Sequence, residues 1–491
     1  MTNESSNVNL EEGIILAEVD QPPRRRGAPL VAWAVIIAIV LLIVLRQRDI
    51  PEAEANGGIQ ITDKVFEFQG QYLVAAASIS EATKQQLYDQ AAQQMNTGSI
   101  LNRLRFVTIA GELAGPEEAL EHLESLRSTI ERNVAEVTDE EQSVMSCLSA
   151  IYSKQPADPT SETGLAEEQK ELLTTTLGWF GKLALTPEDG SNSAARSELL
   201  RPAKTTMIAI FCLMSGGLLL VIAGTICAAI LAILAFTGKL QSVHGTVSPH
   251  GGIYVEAFAV WLILHLTFGL IASLFVTESN ALIVSAFALM LTGIAALWPV
   301  LQGVSWKQVC SDIGLNCGTK NPLLEIVYGI VGYLSMLPFL LLNVLILVLV
   351  MKLIQQGPGE ELATPQMPSH PIIQWATESG LFAKCMILFL ASGIAPVLEE
   401  TMFRGFLYRH LRDASGRWRR FVSIIASAGF SSFIFAIIHP QGWVAVPTLM
   451  TLAIGFCLLR EWRGSLIASM TAHSLHNGLA TVMMLLILGS T

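Results

Sequence analysis

The stretch ILFLASGIAPVLEETMFR, residues 387–404, is apolar enough for a bilayer, yet it ends in two adjacent carboxylates and an arginine: Glu399, Glu400 and Arg404. Ionisable groups are so costly in hydrocarbon that they are seldom kept there without a chemical task. Two further polar intrusions follow in apolar sequence, Phe435-Ala-Ile-Ile-His439 and His473-Ser-Leu-His476-Asn477. Three polar clusters on three neighbouring membrane segments imply one shared site.

The rest of the chain has the composition of a membrane protein. Of 491 residues, 52% are hydrophobic and 14% charged, with a net charge of −11 and a mean hydropathy of +0.50. That excludes an ordinary soluble domain and predicts an all-α, polytopic membrane helical bundle. A helix needs about 20 apolar residues to cross about 30 Å of hydrocarbon. Nine stretches qualify: 28–45, 205–236, 254–276, 280–300, 326–354, 381–403, 420–438, 443–460 and 464–488. The first follows Arg24, Arg25 and Arg26 and has no small-residue cleavage site before Arg46 and Arg48. It reads as an uncleaved anchor, not a signal peptide.

Orientation is read from where Lys and Arg gather. Arg404, Arg409, Arg412, Arg417, Arg419 and Arg420 fall between the sixth and seventh spans, so that loop is expected to be cytoplasmic. Counting outward puts Arg24 to Arg26, and Arg460 with Arg463, on the same side. The expected order is a cytoplasmic tail (1–27), an anchor helix (28–46) and an inserted, mainly helical extracytoplasmic domain (47–204). Membrane helices two to five (205–355), a loop (356–380) and a membrane core of helices six to nine (381–491) that holds the polar clusters complete it. Within 47–204, Pro116, Glu117 and Glu118 predict a helix start, and Leu123, Leu126, Ile130, Val134 and Val137 follow it at helical spacing. No motif there supports substrate gating, so a spacer or assembly module is expected. The close cysteine pair, Cys310 and Cys317, falls in a loop expected inside, where thiols stay reduced.

Helical geometry then sorts the polar residues. Glu400 and Arg404 are four apart, acid first, and can pair on one face. Glu399 is rotated by about 100° from Glu400 and faces a different partner. His473 and Asn477 are also four apart, with His476 between them, and His439 stands just before the helix-terminating Pro440. At 1.5 Å per residue, Glu399 lies about 20 Å from the expected cytoplasmic end of its helix, His439 about 28 Å, His473 about 15 Å and Asn477 about 21 Å. Taken singly, the acids could mark a span end, His439 could cap a helix, and His473, His476 and Asn477 could be interhelical glue. Their compatible depth favours a site.

The three motifs, Glu399-Glu400-Thr-Met-Phe-Arg404, Phe435-x-x-x-His439 and His473-x-x-x-Asn477, together resemble the CPBP family of intramembrane endopeptidases. This family, also called Abi or CAAX-protease-like, includes the type II CAAX prenyl proteases. The resemblance covers about residues 380 to 480. It implies peptide-bond hydrolysis in a membrane cavity, with Glu399 and His439 activating water and His473 and Asn477 stabilising the oxyanion. Glu400, Arg404, Phe435 and His476 would support them, and no cofactor is required. A second reading stays open, because Glu399, His439 and His473 also suit a two-histidine, one-carboxylate zinc site with water in the fourth position. Spacing does not separate the two. The understanding of the prenyl-protease relatives, and the aptness of Asn477 as an oxyanion donor, favour the glutamate form.

His-Glu-x-x-His and Gly-x-Ser-x-Gly signatures are missing from the sequence. Ser215, Gly216 and Gly217, like Ser431 and Ser432, are expected to permit close helix packing. A transporter or channel, or a scaffold or immunity protein without proteolysis, would use the same polar residues for ion binding or packing. The expected partners are a membrane-associated protein or peptide substrate and the lipid bilayer, with no nucleic acid. Nothing in the sequence recognises a prenyl group, and the insertion at 47–204 departs from compact relatives. The Abi-like pattern suggests a bacterial plasma membrane.

Overall fold

The computed structural model describes residues 27–46, 52–79, 83–133, 136–153, 165–188, 193–240, 247–277, 280–315, 321–354 and 380–488. Among these residues the regular elements are all helices. Arg24 to Arg26, Cys317 and almost all of the expected loop 356–380 lie outside them; Cys310 is a free thiol.

Helix α1 (Pro29–Arg46) is apolar all round, and its buried residues Ala32, Ile36 and Val40 recur every fourth position. They form one stripe, which the chain packs against α10 (Gly251–Ser273). Trp33 Nε1 donates to His410 Nε2 at 3.2 Å, and His410 Nδ1 lies 2.7 Å from the Gly251 carbonyl, which ties the anchor to the bundle.

Seven helices follow: α2 (Glu52–Ala77), α3 (Lys84–Met95), α4 (Ile100–Leu113), α5 (Pro116–Asn133), α6 (Asp139–Ser153), α7 (Glu167–Leu177) and α8 (Trp179–Ala184). They close around Leu73, Leu104, Phe106, Leu123, Leu126 and Phe180. As expected, α5 opens on Pro116 with Glu117 and Glu118 in its first turn. It ends at Asn133, so Val137 belongs to the connection to α6, and Val134 lies outside the described residues. The break has a local cause. Thr138 Oγ1 accepts from Glu141 N and Glu141 Oε2 accepts from Thr138 N, a reciprocal cap that starts a new helix.

A pH response follows from this unit. Burial, opposed by Glu118 and Glu121, lowers the pKa of His122 from its ordinary 6.5. The unfolded chain then binds more protons than the folded one below that value, so the contribution to stability is present above pH 6.5 and is lost as pH falls. The thermal midpoint of the unit, measured in the full chain, is expected to be lower at about pH 5.5 than at about pH 7.5, and the difference should shrink in His122→Gln.

Helix α9 (Ser193–Phe236) runs 44 residues without interruption. Its first turns belong to the same packed unit, where Trp179 Nε1 donates to the Leu199 carbonyl at 3.4 Å and Arg196 pairs with Glu112. A division at residue 204 therefore falls inside one helix. After α10 come α11 (Ala281–Leu301), α12 (Trp306–Ile313), α13 (Pro322–Ile354), α14 (Leu381–Ala414), α15 (Arg420–Ile437), α16 (Gly442–Arg463) and α17 (Leu466–Leu488).

Among the described residues, eight helices are long and apolar enough to cross a membrane: α1, α9, α10, α11, α13, α14, α15 and α16. The chain is a multi-pass membrane protein. The ninth expected span, α17, is 23 residues long but is not one of the eight. It carries His473, His476 and Asn477, whose polarity lowers its hydropathy.

Two sequence expectations are corrected here. The sixth span does not end before a basic loop: α14 continues to Ala414, and Arg404, Arg409 and Arg412 are buried on it. Arg409 pairs with Asp413 at 3.0 Å and Arg412 with Glu461 at 2.9 Å, while Arg417, Arg419 and Arg420 are exposed. The close-packing glycines are also not Gly216 and Gly217, beside which a Cβ would meet nothing among the described residues within 4 Å. A Cβ at Gly224 would come within 2.2 Å of the Leu334 carbonyl oxygen, and one at Gly329 within 2.6 Å of that of Ala468. These two residues let α9 and α17 approach α13. Ser431 and Ser432, in contrast, are fully buried.

Candidate functional site

Helix α14 is not regular. Two π-helical stretches, Leu390–Ile394 and Thr401–Leu407, bracket the α-helical turn Ala395–Glu400 that carries both acids. Such widened turns are rare and often sit at functional sites. The first has a chemical cause in Pro396, which lacks an N–H. In the widened register the bond it cannot make is to the carbonyl of Ala391. Asn477 on α17 supplies the donor, its Nδ2 lying 2.9 Å from Ala391 O.

This substitution of a side-chain donor for a backbone donor is testable. Asn477→Ala leaves the Ala391 carbonyl without its partner and is expected to cost about 1 kcal/mol. In a Pro396→Ala background, where a backbone N–H returns, the same change should cost less. Thermal melts of the four proteins form the cycle, and equal costs in both backgrounds would contradict this account.

The two adjacent acids occupy different environments. Glu400 is fully buried: Arg404 Nη1 lies 2.9 Å from its Oε1, and His473 Nδ1 lies 3.0 Å from the same oxygen. Glu399 keeps 20% of its side chain exposed, and its Oε2 is approached by His473 Nε2 at 3.7 Å and by His439 Nε2 at 3.9 Å. His473 therefore bridges the acids, one ring nitrogen toward each.

Aromatic rings hold these groups in place. Phe435 lies under His439, with ring centroids 4.2 Å apart, and Phe456 of α16 stacks on His473 at 4.9 Å and 21°. The Arg404 guanidinium sits 4.7 Å from the Phe435 ring and 5.1 Å from the Phe456 ring, and its Nη2 donates to the Ala453 carbonyl at 3.2 Å. His439 follows the end of α15, and its Nδ1 faces the Phe435 carbonyl, which leaves Nε2 toward Glu399.

The structure thus brings Glu399, Glu400, Arg404, Phe435, His439 and His473 together, with Asn477 at the adjoining turn of α14. His476 is turned elsewhere, its ring 6.0 Å from that of Tyr333 on α13. Three contributors were not singled out in the sequence. Phe456 and the Ala453 carbonyl lie on α16, whose motif-free apolar sequence gave no signal. The third is His265 on α10, which interacts electrostatically with Glu399 and His439. A lone histidine in an apolar span was the available clue. Among the described residues no group of three or more His, Cys, Asp or Glu side chains has the arrangement of a metal site. A carboxylate within reach of two imidazoles can nonetheless take a proton from water or a hydroxyl and pass it on.

Residues 381–479 match the family model described as Rce1-like, type II CAAX prenyl endopeptidase Rce1-like. The match begins at the first residue of α14 and ends two residues beyond Asn477, so it spans Glu399 to Asn477 and none of α1 to α13. No curated protein matches the chain. No solved structure matches it.

Proposed function

We propose, for a chain whose residues 381–479 form a CAAX-protease-like membrane core of the Rce1-like family, that it is an intramembrane endopeptidase in which Glu399 is the general base. The observation that carries this reading is the contrast within the acid pair. Glu400 is fully buried and ion-paired, whereas Glu399 is reachable and faces two imidazole nitrogens. A base must meet its substrate; a structural counter-ion need not.

In this mechanism a water molecule sits between Glu399 and His439 Nε2, whose separation of 3.9 Å is too long for a direct hydrogen bond. Glu399 takes one water proton while the oxygen attacks the carbonyl carbon of the scissile peptide. His473, whose Nδ1 is held 3.0 Å from Glu400 Oε1, presents its Nε2 edge to the oxyanion. Asn477, already donating one Nδ2 hydrogen to Ala391 O, has a second to offer. Collapse of the tetrahedral intermediate breaks the C–N bond, and Glu399 returns its proton to the leaving amine. Glu400 and Arg404 neutralise each other, and Glu400 holds His473 in register.

The substrate is proposed to be a membrane-associated protein or peptide. The N-terminus is proposed to be cytoplasmic, on the side of the exposed Arg417, Arg419 and Arg420, in a bacterial plasma membrane.

The test is a quenched-peptide library, prenylated and unprenylated, presented to the detergent-purified protein, Glu399→Ala and His439→Ala, each with and without chelator. Chelator-insensitive cleavage lost in both variants is the expected result. Chelator-sensitive cleavage would move Glu399, His439 and His473 to the zinc-ligand reading, and equal background in all three proteins would remove the protease reading.

A further inference from the structure

A cavity of about 410 Å³ opens between α10 and α11, lined by His265, Gly269 and Ser273 from one helix and Ser285, Ala288 and Thr292 from the other. Three observations join it to the acids. His265 lines the cavity and interacts electrostatically with both Glu399 and His439. Trp261, one turn before His265, donates its Nε1 to Thr292 Oγ1 at 3.2 Å and packs edge-on against Phe403 at 5.6 Å. Phe403 in turn packs against Phe435 at 5.0 Å, beneath His439. Finally, Gly293, next to Thr292, lies against Leu398, the residue preceding Glu399; a Cβ there would come within 2.9 Å of its side chain. One wall of the cavity is therefore continuous with the turn that carries the proposed base.

We infer that this cavity is the subsite that receives the substrate segment beside the scissile bond, and that His265 hydrogen-bonds that segment's peptide backbone. The inference rests on the endopeptidase reading of Glu399. At about 30 Å³ per water at liquid density, the space is that of roughly a dozen waters, room for a short stretch of small residues. Its walls offer small apolar groups and the hydroxyls of Ser273, Ser285 and Thr292, with no lysine or arginine. Small, apolar or hydroxyl-bearing residues fit such a lining, and acidic ones are rejected, because a carboxylate would enter without a counter-charge. Neither this cavity nor a larger one of about 820 Å³ between α9, α13, α15 and α16 carries Glu399, His439 or His473 on its walls; the smaller is chosen because Thr292 on its wall adjoins Gly293, which lies against Leu398 beside Glu399.

The experiment uses the full-length protein and a peptide library varied at the residues flanking the cleaved bond, with Glu399→Ala as the blank. Ala288→Phe narrows the cavity and is expected to abolish cleavage of peptides with serine, threonine or valine flanking residues while sparing glycine-flanked ones. His265→Leu is expected to raise KM about tenfold with kcat little changed, the worth of one hydrogen bond, and His265→Gln, which keeps a donor, to restore it. A merely structural histidine would lower the amount of folded protein without this split between KM and kcat. If wild type cleaves and Glu399→Ala does not, yet both the cavity and histidine variants keep the wild-type KM and sequence profile, the subsite is wrong and the protease reading stands. If wild type cleaves nothing, both fall.

Discussion

Glu399→Gln is expected to lower kcat/KM for a cleaved peptide by about 10²–10⁴, the usual worth of a positioned general base, while leaving the thermal midpoint near that of the wild type. Both halves come from the same geometry. The carboxylate is 20% exposed and makes no contact shorter than 3.7 Å to either imidazole, so its charge holds nothing together. Glutamine keeps its shape and removes the proton acceptor. Peptide kinetics and melts on one preparation check the pair of statements, and a variant that retains near-wild-type kcat/KM would take the base role away from Glu399. The same change in Glu400 should behave differently: it removes the counter-charge of a fully buried arginine, so stability and activity are expected to fall together.

Much of this arrangement was legible because it depends on local spacing. Glu400 and Arg404 meet because four residues make about one turn, and His439 lies just past the end of its helix, before Pro440, which cannot continue it. What was not legible is long-range. Read by density alone, Arg404, Arg409 and Arg412 look like a cytoplasmic loop, but each is neutralised by an acid: Glu400, Asp413 and Glu461. Glu461 is 49 residues from its partner Arg412 and cannot be paired with it by counting. Glu325, fully buried against Arg463, is a further example. The π-helical register of α14 was hidden for another reason. Pro396 announces a missing hydrogen bond, but whether the helix kinks or widens depends on the donor that fills the gap, and Asn477 lies 81 positions away in sequence. The sequence counts α17 as a ninth span, but His473, His476 and Asn477 lower its apolarity and it is not among the eight described helices apolar enough to cross a membrane. His265 went unassigned because a single histidine has no spacing to read; its meaning is set by the α10–α11 cavity and by the distant Glu399.

Arg404→Met is expected to destabilise the folded protein by about 3–5 kcal/mol, because removing one partner of a buried ion pair strands the other. Here the stranded group would be Glu400, which has no exposed surface and whose Oε2 already lacks a hydrogen-bond partner. Methionine is close enough in length to fill the space between the Phe435 and Phe456 rings, so little of the loss would come from a cavity. The double variant Glu400→Gln with Arg404→Met removes both charges and is expected to recover a large part of the stability, since a neutral, packed pair is often no worse than a buried ionic one. It is not expected to recover activity, because glutamine no longer presents a charge to His473 Nδ1, which lies 3.0 Å from Glu400 in the wild type. Thermal or denaturant melts in detergent measure the first effect and peptide cleavage the second. If Arg404→Met proved as stable as the wild type, the pair would not be holding the helix. If the double variant recovered both stability and turnover, the charge on Glu400 would have no part in setting His473, and the division of labour between the two acids would have to be abandoned.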